Sequence, residues 1–101
     1  MAIMEISVVP LGTKGSSVSE YVAAAVKALQ GNKDVTYTLT PMGTVVEAGS
    51  VEMLFEAAAR MHRAVSEAPD VPRVLTSIKI DDRRDKQQVG SDKVKAVQNK
   101  L

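Results

Sequence analysis

The side chains of this chain that could do chemistry are few and oddly placed: Glu5 and Ser7 near the start, a threonine row at Thr36, Thr38 and Thr40, Glu47 a few residues on, and Lys79 much later. None pairs a nucleophile with a base. With no Cys there is neither a thiolate nor a disulfide frame, which fits a reducing cytosol, and a single His does not favour a zinc or iron site. That residue, His62, falls beside Glu56, Arg60 and Arg63 at helical spacing and reads as a solvated or interface histidine rather than a catalytic base. What two carboxylates, one ammonium and several hydroxyls can do together is recognise a small ligand carrying amines, ring nitrogens or a positive charge. Buried carboxylates need such partners, because leaving them unpaired costs several kcal/mol. The bland alternative is an exposed Glu5 to Lys79 cross-strand pair worth under about 1 kcal/mol.

A second candidate feature is a phrase written twice. Pro10-Leu11-Gly12-Thr13 and Pro41-Met42-Gly43-Thr44 each close a β-branched run. Proline presets φ and glycine supplies the positive φ of tight turns, so each phrase predicts a turn, with a hydroxyl behind it. Two such turns at one end of a sheet would rim a pocket with backbone N–H groups and the Thr13 and Thr44 hydroxyls. They could equally be two ordinary connections.

The elements that must position these residues are legible from periodicity. Ala2, Met4, Ile6 and Val8 alternate with Glu5 and Ser7, predicting a half-buried strand from Ala2 to Leu11. Ser17-Val18-Ser19-Glu20 has the form of a capping box, and Val18, Val22, Ala25, Val26 and Leu29 follow at helical spacing, predicting a helix over 17–30 that stops at Gly31. Val35, Tyr37 and Leu39 alternate with threonines in a second strand with one apolar face; Thr44 to Ala48 resumes at once, so the two form a hairpin. Ser50 caps a second helix carrying Leu54, Ala58, Met61 and Val65 and ending near Glu67. Arg73 to Ile80 reads as a fourth strand. Ser91 can cap a short C-terminal helix bearing Val94, Val97 and Leu101, to dock on the body or on another subunit.

The order β-α-β-β-α-β with right-handed crossovers predicts an α+β, ferredoxin-like sandwich in one domain, residues 1–101: a four-stranded antiparallel sheet in the order 4-1-3-2, two helices on one face and a short C-terminal helix. Parity leaves Glu5, Ser7, Val9, Thr36, Thr38, Thr40, Val45, Glu47, Leu75, Ser77 and Lys79 on the uncovered face, with Glu47 near Ser7 or Glu5. That face is too apolar to be simply solvated and too polar to be core. It predicts burial by a second copy around a polar cavity, and hence a homo-oligomer, dimer or tetramer.

Composition narrows the partners. Thirteen Lys and Arg against twelve Asp and Glu leave a net charge of +1, and there are only two Tyr, one Phe and no Trp, which argues against base-stacking nucleic-acid recognition. The start, Met1-Ala2-Ile3-Met4-Glu5, has no basic n-region or long apolar stretch, and no run reaches a membrane span, so a cytoplasmic protein with no membrane partner is expected. The run Asp81 to Lys86 reads as a solvated strand exit or, alternatively, an inter-subunit ion-pair cluster.

Four segments in order, Ser7 to Thr13, Ser16 to Val22, Thr38 to Glu47 and Ser77 to Lys86, together resemble the small thiamine-binding protein family of the YkoF-like superfamily, over nearly the whole chain. The resemblance implies a ferredoxin-like subunit of a dimer or tetramer that binds thiamine, or its hydroxymethylpyrimidine moiety, without chemically changing it and with no cofactor besides that ligand. Chemistry then suggests roles. Glu47 would accept from the pyrimidine amine or a protonated ring nitrogen, with Ser7, Thr38 or Thr40 completing the pattern; Leu11 and Met42 would pack on the ring; Glu5, near Lys79, would answer the thiazolium charge; Gly12, Thr13, Gly43 and Thr44 would form the rim. Two other readings stay open: a small oligomeric enzyme of isomerase or monooxygenase type on the same fold, and an assembly module without a ligand.

Overall fold

The structure, a computed structural model, describes all 101 residues. Strand β1 (Ala2–Leu11) leads to helix α1 (Ser19–Lys27), a β2–β3 hairpin (Val35–Thr40 and Gly43–Ala48), helix α2 (Val51–Ser66), strand β4 (Arg73–Asp82) and helix α3 (Gly90–Gln98). The four strands form one antiparallel sheet in the order β2-β3-β1-β4, as the alternation and crossover rules predict.

The core is aliphatic and sits between the sheet and α1 and α2. Met4, Ile6 and Val46 from the sheet, Leu29 after α1, and Leu54, Met61 and Val65 from α2 are its largest fully buried side chains. The even positions of β1 face the helices, so Ala2, Met4, Ile6 and Val8 are buried while Glu5 and Val9 are exposed. Ser50 caps α2 as its sequence predicts, its hydroxyl accepting from the Met53 N–H at 3.2 Å.

Three local expectations are corrected. Helix α1 is shorter than 17–30 and has no capping box: Val18 is its N-cap and makes no side-chain cap bond. Val18 packs against the core and so sits at the boundary itself, which leaves Ser17 one position outside, its Oγ 3.4 Å from that of Ser19. Ser91 does not cap α3. The helix begins two residues earlier, with Val89 at the cap and the Asp92 carboxylate accepting the Val89 N–H at 3.0 Å. Finally, β2 keeps its apolar side toward the helices, but only Val35 is covered; Tyr37 and Leu39 remain 39% and 59% exposed because the helix layer stops short of this edge strand.

One long-range tie was not legible in the sequence. Tyr21 of α1 is buried, and its hydroxyl donates a hydrogen bond to Oδ2 of Asp70 in the α2–β4 connection. That bond, with desolvation behind it, pushes the phenol up to about 12.

Candidate functional site

Register decides which polar groups meet on the open face. Glu5 lies between Val45 and Lys79, Ser7 is opposite Ser77, and Thr38 is opposite Val45. Glu5 and Lys79 are therefore direct cross-strand neighbours, as parity predicts, yet the three ion pairs of the molecule (Arg60–Glu56, Arg83–Asp85 and Lys93–Asp81) include neither. Glu47 is displaced from its expected place: its partner on β1 is Ile3, one pleat beyond Glu5 and two beyond Ser7. It is also already engaged. Its Oε1 accepts the Gly90 N–H at 2.5 Å, so Glu47 anchors the start of α3. A Cβ added at Gly90 would stand 3.0 to 3.2 Å from the atoms of that carboxyl group, so a glycine there permits the close approach.

The two Pro-X-Gly-Thr turns differ in conformation and position. Gly12 has φ +82° and packs where an added Cβ would meet Pro72 Cγ at 2.8 Å. Gly43 is not in the left-handed region; it is small because β1 passes close by, an added Cβ falling 3.0 Å from the Ile6 carbonyl oxygen. Nor do the turns share a pocket. Pairing of β1 with β3 ends at Ile6–Thr44, whereas pairing with β4 runs on to Leu11, so β1 overhangs the hairpin. At roughly 3.3 Å per residue, Leu11 lies about 16 Å past Ile6. Leu11, Gly12 and Thr13 are thus separated from Met42, Gly43 and Thr44, and the expected common rim is not formed.

The overhang makes room for a cavity. Because β3 stops, the hairpin tip, α1 and the middle of β1 enclose about 270 Å³. Its wall is mostly apolar, with Ile6, Val8 and Val9 from β1, Val18, Val22 and Ala25 from the α1 segment, Met61 from α2, and Leu39, Pro41 and Met42 from the hairpin; Ser7, Thr40, Gly43 and Thr44 complete it. Thr40 is occupied locally: its hydroxyl donates to the Gly43 carbonyl at 2.8 Å and accepts from the Met42 N–H, which closes the hairpin. Thr44 is only 3% exposed and faces the helices, so its hydroxyl is a cavity group rather than a rim group. On the open side of the sheet a smaller hollow of about 110 Å³ is bounded by Glu5, Ser7, Met42, Ser77, Ile78 and Lys79. Ser7 and Met42 line both hollows, which places the hairpin tip between an apolar space on one side and a charged one on the other. Thr38 stands exposed on the open face outside both.

The remaining polar features lie apart from this region. His62 is half-buried and its Nδ1 is 2.7 Å from Thr76 Oγ1, so it joins α2 to β4 rather than facing solvent. The charge run closes on itself, Arg83 gripping Asp85 with Nε at 2.7 Å and Nη2 at 3.1 Å, and this guanidinium holds the Asp85 carboxyl below the usual carboxylate range. No cluster of His, Cys, Asp or Glu is arranged to hold a metal.

A β-α-β-β-α-β chain with both core helices on one face of an antiparallel sheet is a ferredoxin-like α+β domain, here with two hollows at its hairpin tip. Residues 4–98 match the family model described as thiamine-binding protein, and the chain belongs to that family. It is similar over its full length to a UPF0045 protein of Methanothermobacter thermautotrophicus, with 46% identity across 101 residues and all of both chains covered. A UPF0045 protein of Staphylococcus xylosus is 41% identical, covering all of this chain and 95% of the relative. Among solved structures, a Methanocaldococcus jannaschii protein superposes with a TM-score of 0.85 at 37% identity, over 96% of this chain and 95% of that one. A Thermotoga maritima protein described as a proposed thiamine biosynthesis/salvage protein shares the fold, with a TM-score of 0.73 at 18% identity over 94% and 97% of the two chains.

Proposed function

We propose that this protein binds thiamine or its hydroxymethylpyrimidine moiety, without chemically altering it, as a homo-oligomer whose subunits cover the open face of the sheet. The observation that carries the reading is the pair of hollows meeting at Ser7 and Met42, found in a chain of the thiamine-binding family. An aromatic ring suits the apolar cavity, which lies just under the roughly 300 Å³ at which small-molecule pockets begin. Its substituents then meet the Thr44 hydroxyl, while a cationic group is answered across the tip by Glu5. A carboxylate opposite an ammonium with no direct ion pair between them suits a ligand that brings its own charge or hydrogen bonds. Glu47 lines neither hollow; its carboxylate holds the start of α3. The hollow on the open side is shallow, and covering it with a second subunit would supply the desolvation that makes such contacts count.

Isothermal titration with thiamine and with hydroxymethylpyrimidine tests this directly. Thr44→Val, which keeps shape and removes a hydroxyl, is expected to weaken binding of both ligands by about tenfold, the scale of one hydrogen bond of roughly 1.4 kcal/mol. Glu5→Gln is expected to weaken thiamine but not the uncharged pyrimidine. Failure of both ligands to bind the wild-type protein at millimolar concentration refutes the proposal, and recovery of a converted product after incubation replaces it with an enzyme.

A further inference from the structure

The connection from β1 to α1 begins and ends at the wall of the apolar cavity. Val9 lines that cavity just before β1 ends, and Val18 lines it again at the N-cap of α1. Between them the chain is barely tied to the body. Residues 12–17, Gly12-Thr13-Lys14-Gly15-Ser16-Ser17, include no apolar side chain, and all but Thr13 are exposed. None of their peptide groups enters a main-chain hydrogen bond: β1–β4 pairing stops at Leu11–Arg73, and the first bonds of α1 are accepted by the Val18 carbonyl. Their polar contacts are short-range, the Thr13 hydroxyl donating to the Gly15 carbonyl and Ser17 Oγ facing Ser19 Oγ, both at 3.4 Å. The α1–β2 and α2–β4 connections, by contrast, carry main-chain bonds such as Asn32 N–H to Leu29 and Val71 N–H to Ala68. A segment whose donors are spent on water and whose side chains are unpacked changes conformation at little cost.

We propose that residues 12–17 are a lid that folds over the cavity when a ligand occupies it, and that the free peptide N–H groups of the segment become ligand contacts on closure. Its two ends are fixed. Gly12, at φ +82°, sits against Pro72, and Val18 packs on the core. Six extended residues reach up to about 20 Å, enough to cross the mouth of a cavity of about 270 Å³. The sheet leaves that mouth uncovered, because β3 does not pair with β1 beyond Ile6. Closure also answers a chemical need. The cavity wall is apolar apart from a few hydroxyls and main-chain groups, so a heteroaromatic ring with polar substituents finds few donors there. The lid brings N–H groups and the hydroxyls of Thr13, Ser16 and Ser17, and by excluding water it strengthens every polar contact beneath it. This inference rests on reading the cavity as the ligand site.

Trypsin reports the position of the lid, since Lys14 is its one charged residue and is exposed; the exposed Lys86, at the opposite end of the sheet, is the internal reference. The wild-type protein is digested briefly with and without thiamine or hydroxymethylpyrimidine, and the cuts are assigned by mass spectrometry. Cleavage after Lys14 is expected in the free protein. With ligand at ten times the Kd found by titration, it is expected to slow about tenfold, because only the free fraction leaves the bond open, while cleavage after Lys86 is unchanged. In a second arm, deletion of residues 14–16 is expected to speed ligand dissociation about tenfold, read by stopped flow on protein whose circular dichroism matches wild type. Ligand that binds by titration without protecting Lys14 overturns the lid and leaves the binding reading standing, as does unchanged dissociation from the folded deletion variant. Resistance of Lys14 to trypsin in the free protein overturns the lid as well. Absence of any binding by titration refutes the binding reading, and the lid falls with it.

Discussion

Glu47 is the residue whose removal separates anchoring from ligand binding. Helix α3 has nine residues and none is buried; Val94, Val97 and Leu101 are 57%, 61% and 99% exposed. An isolated helix of that length is marginal in water, so its order depends on a few polar contacts: Glu47 with the Gly90 N–H, Asp81 with Lys93, and Gln87 with the N-terminal ammonium. A hydrogen bond to a carboxylate contributes about 1.5 to 3 kcal/mol, and half-exposure favours the lower figure. Glu47→Ala therefore lowers the free energy of opening α3 by about 1.5 kcal/mol, roughly a tenfold loss of hydrogen-exchange protection confined to residues 90–98. The thermal midpoint of the body is expected to stay within about 2 °C, because α3 contributes nothing to the core. Exchange mass spectrometry with a melting curve reads both quantities. Unchanged protection in α3 would refute the anchoring role, and a drop of many degrees in the midpoint would show that α3 is part of the cooperative unit. A titration of the same variant that loses ligand affinity while an Asp81→Asn variant, which also loosens α3, retains it would assign Glu47 to the ligand.

Other outcomes follow from single groups. In Tyr37→Phe the remaining phenol is that of Tyr21, and its ultraviolet titration is expected near pH 12 rather than 10. Because the folded value is raised, the stabilisation by Tyr21 is complete below pH 10 and disappears as pH climbs through about 12; Tyr21→Phe should abolish that alkaline dependence, measured by urea denaturation across the range. Gly12→Ala meets both a positive φ and the Pro72 ring, so a loss of at least about 1 to 2 kcal/mol in urea stability is expected. Gly31→Ala, with a similar φ but open space around the Cβ position, should lose about 1 kcal/mol through φ alone. Equal effects at the two glycines would remove the contribution of the ring contact.

Much of the architecture follows from local pattern because its causes are local. Alternation in β1, the Ser50 cap and the helical spacing of Leu54, Ala58, Met61 and Val65 each reflect one element burying one face, and they reappear at the expected residues. The site was less legible since it depends on lengths. Pairing the odd residues of β1 with β3 identifies a face without fixing an offset, and two steps of register move Glu47 from Ser7 to Ile3. The repeated Pro-X-Gly-Thr phrase was misleading for a similar reason: turn chemistry concerns four residues, whereas the distance between the turns comes from β1 having ten residues and β3 six. The Tyr21–Asp70 bond spans 49 positions and leaves no periodic trace. Helix α3 shows the opposite failure, an amphipathic pattern that finds no apolar surface within its own chain.

The overhang of β1 beyond its hairpin has a consequence for how the family can diverge. Past Ile6 the side of β1 turned toward the missing β3 has no neighbouring strand, so peptide groups lie open at the mouth of the cavity. Peptide donors and acceptors are encoded by strand lengths, and a point substitution leaves them in place. If the cavity holds a ring as proposed, relatives that keep the lengths of β1 and β3 can exchange wall residues to suit different rings while inheriting the same polar grip, a division between a constant handle and a variable lining.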